Sequence, residues 1–297
     1  MNEIMLNRKI SRKDAYRLSD VKRGEKIPIV SDTMFNTMLN NESRKKYAAY
    51  LIALTLNEDY EKIYSSLSFV KEKLDREKEI EKGKTVDFVC KINGDIVNIE
   101  MNNNSTIKNL ERNISYAMDL YKSKVKKGNP YEYQKVIQIN INNFSFENNN
   151  STIEKYNFKN EEGEIFTDKI TFLHIYIPNI IKKRYNKEEL TELEKLILVF
   201  NETEEDSLKE LCGGNEIMEE YVKDAKEASQ DEEIIGLYDK EAHLEMLRLS
   251  EINDAKDQGG KEKSIEIAKK LLKNNISIEI ISNSTGLSKD EIIKLKD

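Results

Sequence analysis

Two acidic residues flank a hairpin pattern in the first half of the chain. Two runs rich in β-branched and aromatic residues lie on either side of the Asn93-Gly94 pair. This dipeptide predicts a two-residue type I′ turn, because asparagine and glycine adopt the positive φ angles that the turn requires. A two-residue turn sets the pairing of its strands, so we expect Asp87 directly opposite Glu100. Facing side chains have Cβ atoms about 4.5–5.5 Å apart, and two carboxylates so placed repel each other.

Side-chain alternation divides the hairpin into an apolar face and a more polar face. The apolar face comprises Val86, Phe88, Cys90, Val97, Ile99 and Met101. The polar face comprises Asp87, Val89, Lys91, Ile96, Asn98, Glu100 and Asn102. The apolar face is expected to join the core of the protein.

The polar face allows two interpretations. A divalent cation between Asp87 and Glu100 would turn their repulsion into attraction. Mg²⁺ suits such a pair, because it is bound through one or two carboxylates and completes its shell with water and substrate phosphate. There it polarises the phosphoryl group and activates a bound water. Alternatively, the face is a solvated sheet surface on which Lys91 is the partner of either acid.

Composition narrows the function classes. The chain has 297 residues with 48 basic and 55 acidic side chains, which excludes a uniformly basic nucleic-acid coat. Two cysteines and two histidines exclude a disulfide scaffold and a Cys/His zinc cluster. The chain has neither a long apolar run nor a secretory leader pattern. We therefore expect a soluble, cytoplasmic protein without a membrane partner.

Hydrophobic periodicity predicts how the chain is organised. Strand patterns at 86–92, 96–101, 136–141 and 172–177, with a helical pattern at 107–125, indicate a mixed α/β core. We divide the chain into a body over 1–200, a helical extension over 201–260 and a tail over 261–297.

The extension is strongly acidic. Between residues 201 and 260 there are 19 acidic and 6 basic side chains, so this stretch carries −13 and the rest of the chain +6. A solvated face of amphipathic helices accounts for this charge. Two other interpretations are a DNA-mimicking surface that restrains a nuclease, and a self-assembling adaptor, which would make the protein a homo-oligomer.

The tail has the pattern of a helix, a glycine turn and a second helix. Gly286 suits the left-handed residue after a helix, and Ser288 with Glu291 predicts a capping box. This is the skeleton of a helix-turn-helix, and it fits a small helical packing unit as well. Gly259-Gly260 is the only linker-like pair.

Short motifs follow one another along nearly the whole chain. Besides Asp87 they are Asp32-Thr33-Met34-Phe35, Ile99-Glu100-Met101-Asn102, Arg112-Asn113-Ile114-Ser115-Tyr116, Gly128-Asn129-Pro130-Tyr131, Leu173-His174-Ile175-Tyr176, Ile267-Ala268-Lys269-Lys270-Leu271-Leu272 and Ser284-Thr285-Gly286-Leu287-Ser288. In this order the chain resembles the Rpn-type recombination-promoting nucleases, also called PD-(D/E)XK nuclease family transposases.

The resemblance implies a restriction-endonuclease-like α/β fold, with a mixed sheet flanked by helices and a helical C-terminal extension. It implies a Mg²⁺-dependent DNA endonuclease, with Mn²⁺ as the alternative ion, that hydrolyses phosphodiester bonds and promotes recombination or transposition. Asp87 and Glu100 are then the metal ligands, and Asp32 is a further acid. Arg112 and Tyr116 contact phosphate or support the site. Core burial of Tyr116 and helix capping by Asp32, a role that Ser31 can also fill, are the alternatives.

Two positions depart from the pattern of the family. After the phenylalanine of its first motif the family tends to have a lysine, whereas this chain has Asn36. The broad superfamily has a lysine two residues after the second acid and the Rpn-type group has a glutamine, whereas this chain has Asn102. In the endonuclease interpretation Asn102 is a catalytic residue that positions the attacking water, since an amide can orient a water although it cannot neutralise developing charge. Lys91 is the alternative source of the missing positive charge, since it lies on the same face, but it is several residues nearer the turn. The alternative function is therefore a catalytically weak or inactive nuclease fold that binds DNA or a protein partner.

The basic side chains of the body indicate DNA as the partner. The helix after the hairpin carries Lys108, Arg112, Lys122, Lys124, Lys126 and Lys127. With the basic N-terminal segment, which is either a phosphate-binding arm or a loosely ordered lead-in, these cations suffice for sequence-independent binding. A solvated helix face explains them equally well.

Overall fold

The computed structural model describes residues 10–11, 13–70, 87–103, 107–122 and 133–295, with the side chains of the fourth helix described from residue 110 onward. The chain divides into two compact units, Met1–Glu241 and Ala242–Asp297. The boundaries expected at residues 200 and 260 stay predictions. No helix of the described residues is long and apolar enough to cross a membrane.

Strands and helices are both present up to residue 176, and the elements after it are helices. The strands are β1 (Ile10–Ser11), β2 (Ser68–Phe69), β3 (Phe88–Ile92), β4 (Asp95–Asn102), β5 (Val136–Asn142), β6 (Ser145–Phe146), β7 (Ile153–Lys159) and β8 (Ile165–Tyr176). The helices are α1 (Asp32–Met38), α2 (Lys45–Leu56), α3 (Tyr60–Ser66), α4 (Ile107–Lys122), α5 (Ile177–Tyr185), α6 (Glu192–Asn201), α7 (Glu205–Cys212), α8 (Glu216–Ala228), α9 (Glu232–Lys273), α10 (Ile278–Thr285) and α11 (Lys289–Ile293).

A six-stranded mixed sheet forms the centre of the first unit, in the order β2-β3-β4-β5-β8-β7. The central strands β4, β5 and β8 are parallel, and the outer pairs are antiparallel. This architecture confirms the expected mixed α/β fold. Strand β7 and the first half of β8 were not predicted, because their side chains are largely exposed and give no clear apolar alternation. The predicted strand 172–177 ends at Tyr176, since Ile177 opens α5 with Pro178 in its first turn.

The two faces of the sheet have different chemistry. Phe88, Val97 and Ile99 on one face are at most 1% exposed, as the alternation predicts. On the other face, Ala117 and Leu120 of α4 pack against Ile96 and Val136. The helix therefore covers the polar face of the hairpin. The interpretation of that face as a solvated surface is therefore wrong.

The N-terminal segment does not expose all of its cations. Lys26 is buried, and its ammonium group donates a hydrogen bond of 3.0 Å to the backbone carbonyl of Phe200. The prediction of a phosphate-binding arm is therefore wrong for Lys26. Residues 1–9 and 12 of the segment lie outside the described residues.

The second unit contains the predicted helix–turn–helix. Ala268, Ile281, Leu287 and Ile292 form its small core. Gly286 has φ 74° after α10, and the Ser288–Glu291 capping box begins α11, so both local predictions are confirmed. Gly259-Gly260 is not a linker, because both residues lie within α9.

Candidate active site

The hairpin has the predicted register. Asn93 and Gly94 have φ angles of 50° and 91°, as a type I′ turn requires. Phe88 pairs with Ile99, which brings Asp87 opposite Glu100. The backbone N–H of Asp87 donates to Glu100 Oε1 at 3.3 Å, and the N–H of Met101 donates to Asp87 Oδ2 at 2.9 Å. These two bonds lock the acids at the open end of the hairpin.

The two carboxylates lie in a poorly solvated environment. Glu100 is 0% exposed, and burial together with the charge of Asp87 raises its pKa from 4.5 to about 8, opposed by Asn98 and Arg112. Burial also raises the pKa of Asp87, against the Met101 N–H and Arg112. Glu100 Oε2 is buried and has no hydrogen-bond partner within the described part of the chain. Among the described residues, the charge of Arg112 and the hydrogen bonds therefore do not offset the burial and mutual repulsion of the two carboxylates.

Asp32 lies at the rim of this pair and is not the helix cap. Ser31 caps α1 by accepting a hydrogen bond from the Met34 N–H, which leaves Asp32 as the first helical residue. The Asp32 side chain is partly open to solvent. Desolvation by the surrounding atoms and the charges of Glu241 and Asp87 raise its pKa to about 7, and Arg112 opposes the shift. Asp32 is thus electrostatically part of the same acidic group.

Arg112 is the cation that faces these acids. Its charge opposes the rise in the pKa values of Asp32, Asp87 and Glu100. The guanidinium carbon lies 5.5 Å from the centroid of the Tyr116 ring, one helical turn further along α4. Arg112 is exposed, whereas Tyr116 is 4% exposed, so the tyrosine supports the arginine from beneath. The side chain of Lys108 lies outside the described residues.

The family comparisons agree with this geometry. A family model described as "PD-(D/E)XK nuclease family transposase" matches residues 29–255, which include both hairpin acids, Asp32 and Arg112. The chain belongs to the PD-(D/E)XK nuclease family of transposases. A second model, "Rpn/YhgA-like nuclease family, C-terminal HTH domain", matches residues 261–297 and supports DNA binding by the tail. No curated protein and no solved structure gives a significant match.

The donor set of this PD-(D/E)XK family member fits a divalent metal. Among the described residues, no three His, Cys, Asp or Glu side chains form a metal-binding group. Two carboxylates nevertheless suit Mg²⁺, which retains several waters and takes further oxygens from phosphate. The unpartnered oxygen of Glu100 supplies an acceptor that a cation would satisfy.

Asn102 lies beside Glu100 on the same sheet face, where the superfamily lysine would stand. It is 2% exposed. Its Nδ2 donates to Asn142 Oδ1 at 3.1 Å, and its Oδ1 accepts from Asn113 Nδ2 at 2.9 Å. Both ends of the amide are thus engaged within the protein. Lys91 pairs with Ile96 near the turn, about 13 Å along the strand from Asp87.

Asn102 belongs to a buried amide network that the sequence analysis did not predict. Asn98 Nδ2 donates to Glu100 Oε1 at 3.1 Å and to Gln138 Oε1 at 2.8 Å. Gln138 Nε2 then donates to Asn140 Oδ1 at 3.1 Å, and Asn140 Nδ2 contacts His174 Nε2 at 3.3 Å. The period-two spacing of polar residues in β5 was the signal that could have indicated it.

Glu241 is the second feature absent from the sequence-based site. This α9 residue accepts a hydrogen bond of 2.7 Å from the backbone N–H of Asp32. The two residues are 209 positions apart in the chain. No local spacing pattern marks such a contact.

Proposed function

We propose that this chain is a divalent-metal-dependent DNA endonuclease that hydrolyses phosphodiester bonds and promotes recombination or transposition. The observation that carries the proposal is the pair of facing carboxylates, half-buried Asp87 and buried Glu100, with an oxygen on Glu100 that has no partner among the described residues. Nuclease family membership supports the same conclusion.

Each residue of the site has a role in this proposal. Asp87 and Glu100 would hold Mg²⁺ or Mn²⁺, and Asp32 adds a third acid at the rim. When bound, the ion polarises the phosphoryl group and lowers the pKa of a coordinated water. Arg112 binds phosphate oxygens through its planar guanidinium group, and Tyr116 holds that group in place.

DNA contacts come from two parts of the chain. Arg112, together with Lys108 in the first turn of α4, would contact the phosphate backbone of DNA next to the acids. The C-terminal helix-turn-helix would supply a second contact in the same cytoplasmic protein. Asn102 acts through the amide network in this proposal, by holding β4 and therefore Glu100.

The test is cleavage of supercoiled plasmid with Mg²⁺, with Mn²⁺ and with EDTA. Wild-type protein is expected to nick the plasmid only with metal. Asp87→Asn and Glu100→Gln, which preserve side-chain shape, are expected to abolish nicking. Glu161→Gln is the matched control, because Glu161 is exposed in a distant turn. Nicking that survives both site substitutions would contradict the assignment.

DNA binding without cleavage is the second candidate function. The observation that favours it is the engagement of Asn102 within the protein, which leaves its position without a cation. Electrophoretic mobility shift in EDTA separates the two. Metal-independent DNA binding by folded wild-type protein that cuts with neither ion would favour the binder.

A further inference from the structure

We propose that Glu241, one residue of the acidic helical extension, is a positioning residue of this site. Glu241 holds the N-terminus of α1 and thereby sets the place of Asp32 relative to the hairpin. The inference rests on the proposed function and adds to it a residue from the far end of the first unit.

The Glu241 carboxylate makes three contacts with the start of α1. Its Oε1 accepts from the Asp32 N–H at 2.7 Å, and its Oε2 accepts from Ser31 Oγ at 2.7 Å and from the Thr33 N–H at 3.4 Å. The first N–H groups of a helix have no partner inside the helix, and a negative charge is favourable there. Glu241 therefore satisfies donors that α1 cannot satisfy alone.

The residues that flank α1 on either side are attached to the hairpin strands. Asn40, just after α1, donates from Nδ2 to the backbone carbonyl of Asp87 at 3.1 Å. Asn103, at the end of β4, donates to the backbone carbonyl of Val30. A helix of seven residues has little stability of its own, so these attachments determine where Asp32 lies. Glu241 provides the attachment at Asp32 itself.

The charge of Glu241 would be unfavourable without such a role. It adds a negative charge beside Asp32, whose pKa Asp87 also raises, and Arg112 opposes both effects. Charge-assisted hydrogen bonds to two backbone N–H groups and a hydroxyl offset that repulsion. The arrangement orders a carboxylate-rich rim before any substrate arrives.

Plasmid nicking kinetics test the inference. Glu241→Ala is expected to lower kcat by about ten-fold with KM unchanged, since one charged hydrogen-bonding group is lost and Asp32 is misplaced. Glu241→Gln, which keeps one acceptor oxygen and the shape, is expected to recover part of that loss. Glu251→Gln, an exposed change on the same helix, should leave both constants unchanged.

Hydrogen–deuterium exchange gives a readout that does not need activity. The backbone amides of residues 32 and 33 are expected to exchange faster in both Glu241 variants, and those of β4 to stay protected. Unchanged exchange, unchanged kcat or increased cleavage would each overturn the inference. If wild-type protein fails to cut with either ion, the nuclease proposal fails, and exchange alone then decides whether Glu241 anchors α1.

Discussion

The environment of the Glu100 side chain is unfavourable for a charged carboxylate unless a cation is bound beside it. The side chain is fully buried, it faces a second carboxylate, and one of its oxygens has no partner within the described residues. Burial without full hydrogen bonding destabilises a charged group. The protein therefore keeps this acid at a cost in folding stability, which is expected at a functional position.

That cost predicts a pH dependence of stability. The pKa of Glu100 in the folded protein is about 8, above the value of 4.5 for an unperturbed glutamate. The folded state then binds more protons between these values, so metal-free stability falls as pH rises through this window. The limiting slope is about 1.4 kcal/mol per pH unit. Urea unfolding in EDTA at pH 5 and pH 8 should show Glu100→Gln to be more stable than wild type mainly at pH 8.

The matched control for this experiment is Glu161→Gln. It should follow the wild-type curve at both pH values, because the Glu161 side chain is exposed. An equal stability difference between Glu100→Gln and wild type at pH 5 and pH 8 would show that the glutamate does not titrate in this range.

At the scale of elements, β4 and β5 present amides to α4 where most sheets present apolar side chains. Asn98, Asn102, Gln138 and Asn140 are all at most 2% exposed. They are acceptable in a core because they bond to one another and to Asn113 of α4. The network ties Glu100 to two neighbouring strands and a helix.

Asn113 tests this network. Its Nδ2 donates to Asn102 Oδ1 at 2.9 Å and to Asn140 Oδ1 at 2.8 Å. Asn113→Ala leaves both buried acceptors without this donor, so we expect a loss of about 1–3 kcal/mol in the free energy of unfolding. Urea denaturation measures it. Glu111→Ala, on the exposed side of the same helix, should cost much less, and equal losses would argue against the network.

At the scale of the whole molecule, the N-terminal segment is packed into the helical layer of the first unit. Ile29 and Lys26 both donate hydrogen bonds to the carbonyl of Phe200 in α6. The Lys26 ammonium also lies 5.8 Å from the centroid of the Tyr221 ring in α8. Burial lowers the pKa of Lys26 from 10.5 to about 7, although Glu202 opposes this. A buried lysine thus joins segments about 170 residues apart.

Lys26 predicts the opposite pH dependence to Glu100. The unfolded state binds more protons between pH 7 and 10.5, so the contribution of Lys26 makes the protein more stable as pH rises through this window. Lys26→Met should be more stable than wild type at pH 7 and flatten this rise. Phe200 keeps the hydrogen bond from Ile29 in this variant. Urea unfolding at pH 7 and pH 9 measures the effect, with exposed Lys223→Met as the control. A Lys26→Met variant whose stability changes with pH in parallel with wild type would contradict a lowered pKa of Lys26.

Local sequence determined the features that depend on neighbouring residues. The Asn93-Gly94 turn set the hairpin register, because a type I′ turn leaves one way to pair its strands. Side-chain alternation separated the two faces of that hairpin. Gly286 and the Ser288–Glu291 capping box marked the ends of the tail helices. The order of short motifs indicated the family.

Tertiary structure decided what surrounds the hairpin acids. Whether the polar face meets water or α4 depends on how the parallel strands and the covering helix assemble, and alternation is the same in both cases. The contact between Glu241 and α1 joins residues 209 positions apart. Burial, pKa and metal-binding capacity are properties of such long-range neighbours, so a local pattern can name the acids but cannot set their environment.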